Sequence, residues 1–307
     1  MARYFMPPRG AGYLNKVWLW LKTGRRFRPS FPRTVEFQTL SVCNAKCVFC
    51  PHAQSPELIP HGRMDDGLID KIVSECGKHF VNRINPYLTN EPLADRRMPD
   101  ILRLIRQKTL FFTKTKINTN AGLLTEEISR KILTGSGLSQ IWFSVNGYSP
   151  ETYKASMNLD YATSMRNIDT FLRLKQELGQ RRPSVKVTTI HTKLVEHELE
   201  YAEKYWAERK VHFTVHHMDN RAGEGVSAIA PVAHRRKLNC DLFLKQAYIV
   251  ENGDMILCCH DWRQTVVLGN VAEKSIKEVW NSPLFLDRIY EYYAGNFENI
   301  EICRNCG

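Results

Sequence analysis

Residues 35–50 read VEFQTLSVCNAKCVFC, an apolar, β-rich run followed at once by a cysteine-rich loop. Cys43, Cys47 and Cys50 are separated by three and two residues, so one short loop can wrap them around a metal centre. Three thiolates leave one iron of a four-iron cluster without a protein ligand, and no fourth cysteine is nearby. An open coordination position is typical of a catalytic metal site. A structural zinc knuckle with His52 as fourth ligand is the alternative.

Outward from this loop, short β-rich runs alternate with helical stretches. The predicted strands are 35–40, 83–88, 114–118, 139–145, 184–189 and 211–216, and the predicted helices are 66–80, 98–108, 125–133, 164–178 and 196–208. This alternation predicts an α/β fold with a parallel sheet and crossover helices, either doubly wound or a partial barrel. In both architectures the chemistry is expected on loops at the C-terminal ends of the strands.

The two ends of the chain differ from this central region. Residues 1–34 form a basic extension with one short amphipathic helix predicted at 14–22. After about residue 232, Asn252-Gly253 predicts a hairpin, and a helix is expected at 275–280 with Pro283 beyond it. The tail is too small for a hydrophobic core of its own, so a bound metal or cluster would stabilise it. We therefore expect an extension at 1–34, a main domain at 35–232 and a tail domain at 233–307.

A second cysteine group lies in the tail. Cys240 and Cys258 flank the first hairpin strand, and Cys303 and Cys306 lie at the end of the chain. Four thiolates around one centre would fill every protein ligand position, which suits electron transfer or structure. Four-cysteine zinc fits the same spacing and is the alternative. The remaining isolated cysteine, Cys76, is expected to be a small buried hydrophobic residue of a helix.

Composition limits the class of protein and its partners. The chain has 307 residues, 43% hydrophobic content and nine cysteines, which excludes disordered and fibrous classes. The apolar run at 17–21 is too short to span a bilayer and lacks a signal-peptide cleavage site, so a cytoplasmic protein without a transmembrane segment is expected. The net charge of +11 favours an anionic or phosphorylated small-molecule substrate over a stable nucleic-acid partner. A solvated basic face explains the charge equally well.

The first cysteine loop resembles the radical S-adenosylmethionine (SAM) superfamily, whose hallmark is C-x3-C-x2-C with an aromatic residue before the last cysteine, here Phe49. The resemblance implies a partial (β/α)6 barrel and a [4Fe–4S] cluster whose open iron chelates SAM. One electron, from an external flavodoxin- or ferredoxin-type reductant, would cleave SAM. The resulting 5′-deoxyadenosyl radical would abstract hydrogen from the substrate.

Three later segments resemble further motifs of this family. Thr89-Asn90-Glu91-Pro92 is similar to its Gly-Gly-Glu-Pro loop, with Glu91 placed to accept from the SAM ammonium. Asn118-Thr119-Asn120 is similar to its Thr-Asn-Gly turn, with Ala121 in place of glycine. Ser144-Val145-Asn146-Gly147 is similar to its Ser-x-Asp-Gly turn, with asparagine replacing aspartate. The resemblance therefore implies these cofactor-binding residues: Phe49, Glu91, Asn118, Asn120 and Ser144.

The tail resembles the shortened SPASM domain called Twitch, an α+β cluster-binding domain. The matching segments are Gly253-x4-Cys258, Leu268-Gly269-Asn270-Val271 and Glu278-Val279-Trp280. The resemblance implies one auxiliary [4Fe–4S] cluster and hence two [4Fe–4S] clusters in total. The full SPASM pattern would need further cysteines after Cys306.

Twitch enzymes of aminoglycoside pathways include a dehydrogenase and an epimerase, which suggests hydrogen abstraction from an unactivated C–H of a sugar-like or aminocyclitol substrate. If Cys258 lies in or near a strand and faces the auxiliary cluster, Cys259 should face the opposite way and reach the substrate as a catalytic hydrogen-atom donor. This slightly favours epimerisation over dehydrogenation. A buried thiol or a substitute ligand is the alternative for Cys259. The rival functions are a SPASM-type peptide-modifying enzyme and a non-enzymatic zinc protein that binds nucleic acid.

Overall fold

The computed structural model describes residues 28–54, 56–219, 240, 242–304 and 306. Within these residues one sheet of nine strands has the order β6-β5-β4-β3-β2-β1-β7-β8-β9. The strands are β1 Thr34–Phe37, β2 Arg83–Asn85, β3 Lys114–Thr119, β4 Gln140–Ser144, β5 Ser184–His191, β6 His212–His217, β7 Gln246–Ile249, β8 Asp254–Ile256 and β9 Val267–Asn270.

The α-helices in the same residues lie mainly between the strands. They are α1 Pro51–Gln54, α2 Asp66–Gly77, α3 Met98–Lys108, α4 Glu126–Gly135, α5 Pro150–Met157, α6 Tyr161–Glu177, α7 Leu199–Glu208, α8 Leu242–Lys245, α9 Ile276–Trp280 and α10 Pro283–Ala294. Side-chain caps define several helix starts. Thr125 accepts from the backbone N–H of Ile128 before α4, and Ser275 with Glu278 forms a capping box at α9.

Strands β1 to β6 are all parallel, as predicted. β6 and β9 end the strand order, so the series is open, as in the expected partial barrel. Strand β7 extends the sheet by pairing parallel to the other edge of β1, and β8 and β9 follow it antiparallel. Because parallel strands end at the same edge, the loops after β1 to β4 meet there.

The tail shares a hydrophobic core with the start of the sheet. Phe37 of β1, Ile72 of α2, Trp280 of α9 and Phe285 of α10 belong to one group of buried side chains. A second buried group, around Phe143, lies under β3 to β5. Among the described residues, the tail's own buried group is limited to Tyr248, Val250 and Ile256, so most of the tail core is shared with the sheet. Cys76 is buried in the first group, as expected.

The structure corrects several predicted elements. Helices α5 and α10 and strand β9 were not predicted. Pro283, expected to lie beyond a helix, begins α10, because Ser282 caps that helix and a proline at its first position loses no hydrogen bond. Strand β2 ends at Asn85, before a proline that cannot donate to a ladder. The helix predicted at 14–22 and the boundary predicted at 232 lie outside the described residues.

Candidate active site

The loop after β1 brings the first three cysteines to the carboxyl edge of the sheet. Cys43, Cys47 and Cys50 are half-buried and line one cavity of about 200 Å³. The end of α5 supports this loop, because the backbone N–H groups of Lys46 and Val48 donate to carbonyl groups of the last two helix residues at 3.0 Å. The loop is therefore fixed by a helix that sequence analysis did not predict.

Burial disfavours the charged form of these thiols. It raises the pKa of Cys43 to about 12, and the pKa of Cys47 rises well above its ordinary value. The neighbouring thiols and Glu91 raise both pKa values further. A cationic iron centre would offset this cost and hold the sulfurs as thiolates. Three soft sulfur ligands on one cavity wall fit an iron–sulfur cluster.

His52, the fourth ligand of the zinc alternative, follows Cys50 on α1 and lines the same cavity. Its Nε2 is buried and has no hydrogen-bond partner among the described residues. In the same residues, no three His, Cys, Asp or Glu side chains converge as ligands of a single metal ion would.

Glu91 is buried at the base of the cavity and closes a hydrogen-bond network between loops. Its Oε1 accepts from the Leu93 backbone N–H at 3.0 Å and from the Thr119 hydroxyl at 2.7 Å. Its Oε2 accepts from the Asn120 backbone N–H at 2.9 Å. Burial raises the Glu91 pKa to about 6, and these three donors partly oppose the rise. One lone pair of Oε2 remains to accept from a bound amino group.

The other predicted cofactor-binding residues line the same cavity. The Ser144 hydroxyl donates to Asn118 Oδ1 at 3.2 Å, which joins the ends of β3 and β4. Asn120 Nδ2 donates to Asn44 Oδ1 at 2.8 Å and so ties the β3 turn to the cysteine loop. Phe49 is buried between this cavity and a second one.

The structure shows how two residues that depart from the family motifs, in the turns after β3 and β4, fit their positions. Ala121, in the glycine position of the β3 turn, adopts a φ of 60°, a conformation that normally favours glycine. Asn146, in the aspartate position after β4, is buried and its Oδ1 accepts from the Ile190 N–H at 2.7 Å. The amide makes the hydrogen bond that a carboxylate would make without burying a charge.

A second chamber of about 270 Å³ adjoins the first and shares Phe49, Asn118, Ser144 and Asn146 with it. Lys116, Trp142 and His216 also line this chamber, and sequence analysis missed all three. Polar residues at alternate positions of β3 to β5 could have indicated them. Strands covered on both faces are usually apolar throughout, so these polar positions predict a face that lines a cavity.

The structure shows contacts that involve the tail cysteines. Cys258, two residues after β8, is buried in the first core group, and Cys240 is near enough to raise its pKa. Cys303 packs against the same core group. Cys306 Sγ lies 3.6 Å from His260 Nδ1, and the His260 backbone N–H donates to Cys258 Sγ at 3.4 Å. Four soft thiol ligands in the tail are the donor set of an iron–sulfur cluster closed by protein ligands.

Cys259 lines the cavity of the first cysteine loop. Its thiol is within hydrogen-bond reach of the Cys258 thiol and of the Tyr248 hydroxyl. The two neighbouring thiols therefore do not point in strictly opposite directions, because β8 ends at Ile256 and the alternation of a strand no longer applies. The position of Cys259 on the cavity therefore does not follow from strand alternation.

Two protein-family models match this chain. Residues 38–205, more than half of the chain, match the family model for the radical SAM superfamily. The chain belongs to the radical SAM superfamily. Residues 240–307 match the SPASM model, described as an iron–sulfur cluster-binding domain.

Curated and solved relatives agree with this assignment. The S-adenosyl-L-methionine-dependent 2-deoxy-scyllo-inosamine dehydrogenase of Niallia circulans is 22% identical, and the match covers 89% of this chain and 91% of the relative. The crystal structure of BtrN with AdoMet and 2-DOIA has a TM-score of 0.62 and 18% identity, over 90% and 92% of the two chains. SuiB from Streptococcus suis bound to S-adenosylmethionine has a TM-score of 0.67 and 15% identity, over 91% of this chain and 71% of SuiB.

These comparisons establish a radical SAM enzyme, a class that requires SAM and a [4Fe–4S] cluster, with a SPASM domain that adds auxiliary cluster binding. They favour iron–sulfur clusters over the zinc alternatives and leave the non-enzymatic interpretation without support. Among the helices that the structure describes, none is long and apolar enough to cross a membrane.

Proposed function

We propose that this enzyme abstracts a hydrogen atom from an unactivated C–H of a sugar-like or aminocyclitol substrate and epimerises that carbon. The observation that carries the proposal is the position of Cys259, whose side chain lines the same cavity as Cys43, Cys47 and Cys50. A thiol in that cavity can return a hydrogen atom to a substrate held there.

The family assignment supports specific roles for the cysteines. We assign Cys43, Cys47 and Cys50 to the cluster that binds SAM, and the tail cysteines Cys240, Cys258, Cys303 and Cys306 to one auxiliary cluster. Cluster-bound SAM supplies the initial hydrogen abstraction from the substrate. The domain division 1–34, 35–232 and 233–307 belongs to this proposal, and the family matches at 38–205 and 240–307 support it.

The side chains around the cavity position SAM in this proposal. Glu91 accepts from the SAM amino group with the free lone pair of Oε2, and Asn120 holds the cysteine loop through Asn44. Asn118 and Ser144 offer polar atoms at the ends of β3 and β4, and Phe49 supplies an apolar surface between the two chambers.

Cys259 completes the proposed reaction. Its S–H bond breaks as a new C–H bond forms on the opposite face of the substrate carbon, which inverts that centre. The sulfur is left one electron and one proton short. A flavodoxin- or ferredoxin-type reductant supplies the electron and water supplies the proton, and we place both proteins in the cytoplasm.

Dehydrogenation is the second candidate, and the curated dehydrogenase from Niallia circulans favours it. In that outcome a base removes a proton from the substrate radical, the auxiliary cluster would accept its electron, and a carbonyl product forms without a hydrogen atom from Cys259. Peptide modification is the third candidate, supported by the fold shared with SuiB. Two chambers of about 200 and 270 Å³ suit a small molecule better than a peptide.

Turnover in D₂O separates these outcomes. The reconstituted enzyme would be incubated with SAM, dithionite and a panel of cyclitols, amino sugars and sugar phosphates. Epimerisation predicts one solvent deuterium at the inverted carbon. Cys259→Ala should still form 5′-deoxyadenosine but yield no epimer. An unchanged rate of epimerisation in Cys259→Ala would contradict the role of the thiol, and a carbonyl product would indicate dehydrogenation.

A further inference from the structure

Two lysine ammonium groups lie close to the indole ring of Trp142 on β4. Lys116 Nζ of β3 is 4.1 Å and Lys186 Nζ of β5 is 4.3 Å from the centre of the indole ring. The His216 ring of β6 stacks on the same indole, with an angle of 18° between the planes. Four neighbouring parallel strands thus contribute one cationic and aromatic wall.

Within the part of the chain that the structure describes, the two ammonium groups form no salt bridge. They also form no hydrogen bond in this part, and their contacts are with aromatic rings. Glu36 is the carboxylate whose charge acts on Lys116, and its Oε1 accepts a hydrogen bond from Asn85 Nδ2 at 2.7 Å. Burial raises the pKa of Glu36 and the charge of Lys116 opposes that rise, whereas among the described residues no carboxylate acts on Lys186.

Both lysines are half-buried. Desolvation lowers the pKa of Lys116, Lys186 and His216, and the charges of the two lysines lower the pKa of His216 further. A partly desolvated cation whose counter-charge is incomplete costs free energy. Such an arrangement is typical of a site that receives its counter-charge from a ligand.

The wall belongs to the chamber that joins the SAM cavity. Lys116, Trp142 and His216 line the second chamber, which shares Asn118 and Ser144 with the first. His216 is exposed on β6, at one end of the sheet, so a ligand can reach the wall from that side.

We propose that Lys116 and Lys186 bind an oxyanion substituent of the substrate, a phosphate ester or a carboxylate, while the sugar-like ring extends toward the SAM cavity. The inference rests on the proposed function and narrows its substrate class. A polycationic aminoglycoside is disfavoured, because Lys116 in the chamber wall and Lys186 beside Trp142 would repel its amines. Lysine ammonium groups act as point charges toward phosphate, and each charge-assisted hydrogen bond is stronger than a neutral one.

The test is ligand binding to the reconstituted holoenzyme with SAM present, measured by calorimetry without reductant. The probes are inorganic phosphate, glucose 6-phosphate, glucuronate, glucose and glucosamine. We expect the two charged sugars to bind and glucose and glucosamine to bind at least tenfold more weakly. Binding of glucose 6-phosphate together with inorganic phosphate, but not of glucuronate, would identify the phosphate ester as the oxyanion.

The decisive variant is Lys116→Gln/Lys186→Gln, with the exposed Lys204→Gln as matched control. The double variant should raise the Kd of the charged sugar about 10- to 100-fold, since each lost charged contact is worth about tenfold. The control should change nothing. The double variant should melt no lower than the wild type, because it removes unpaired cations.

Equal Kd values in the wild type and double variant, or tighter binding of glucosamine than of either anionic sugar, would overturn the inference. Failure of the anion subsite and failure of the proposed reaction give different results. Lysine-dependent anion binding with no epimer or carbonyl product would retain the subsite and reject the reaction. Epimerisation of a neutral cyclitol with an unchanged KM in the double variant would retain the reaction and reject the subsite.

Discussion

The thiols of Cys258 and Cys259 lie within hydrogen-bond reach of each other, yet they face different parts of the molecule. Cys258 is buried in the core that the tail shares with β1, whereas Cys259 lines the cavity of the first cysteine loop. Residues of the two proposed centres are thus joined by a single peptide bond. The position of β7 beside β1 makes this possible, because it carries the tail hairpin to the carboxyl edge of the barrel strands.

Gly147, after β4, is predicted to tolerate no side chain. Its φ is 151°, and a Cβ there would lie 2.5 Å from the backbone nitrogen of Tyr153. Gly147→Ala should therefore lower the free energy of unfolding by more than about 3 kcal/mol, because strain and a backbone clash add.

Gly179→Ala is the matched control. The free energy of unfolding of both variants is measured by urea titration. Gly179 also has a positive φ, of 60°, but a Cβ there meets nothing within 4 Å. Its cost should be only the conformational one, about 1 kcal/mol. Equal losses in the two variants would mean that the close approach of α5 is not what requires glycine at 147.

Ala121 is predicted to be a strained residue that glycine relieves. It is buried with a φ of 60°, where an L side chain costs about 1–2 kcal/mol. Ala121→Gly should leave stability unchanged or raise it slightly, since the relief offsets the greater entropy loss of glycine. Ala202→Gly, at a buried position inside α7, should instead cost about 1 kcal/mol or more. If Ala121→Gly lowered the free energy of unfolding as much as Ala202→Gly does, the backbone at Ala121 would not be strained.

Glu91 predicts a specific pH dependence of stability in the protein without SAM and clusters. Burial raises its pKa from 4.5 to about 6, so the folded state binds this proton more tightly than the unfolded state. The stabilisation is fully present below about pH 4.5 and is lost as the pH rises through about 6, a change of about 2 kcal/mol. Denaturant titrations at several pH values should show this loss of stability between about pH 4.5 and 6 in the wild type and not in Glu91→Gln. Parallel pH profiles of the two proteins would argue against a raised pKa.

Much of the architecture could be predicted because its signals are local. Six alternating runs predicted the parallel strands, and motif residues at the strand ends predicted which side chains meet at one cavity. Helix α5 was missed although its contacts fix the cysteine loop, because a short helix between two turn-like segments has little periodicity. The φ of Ala121 was also beyond sequence reasoning, since it is imposed by the hydrogen bonds around the β3 turn.

The cationic wall was missed for a different reason. Lys116, Trp142 and Lys186 lie far apart in sequence, and each alone is an ordinary strand residue. Only the pairing of β3, β4 and β5 brings their side chains together. The disposition of Cys258 and Cys259 likewise depends on where β8 ends, which the hairpin signal fixed only approximately.

The most direct test of two [4Fe–4S] clusters is iron and sulfide content after anaerobic reconstitution. The wild type is compared with the Cys43→Ala/Cys47→Ala/Cys50→Ala variant, and the buried Cys76→Ala serves as the cysteine control. We predict about eight irons in the wild type and in Cys76→Ala, and about four in the triple variant, with sulfide in equal amounts. Zinc with little iron in the wild type, or an iron content unchanged by the triple substitution, would contradict the account.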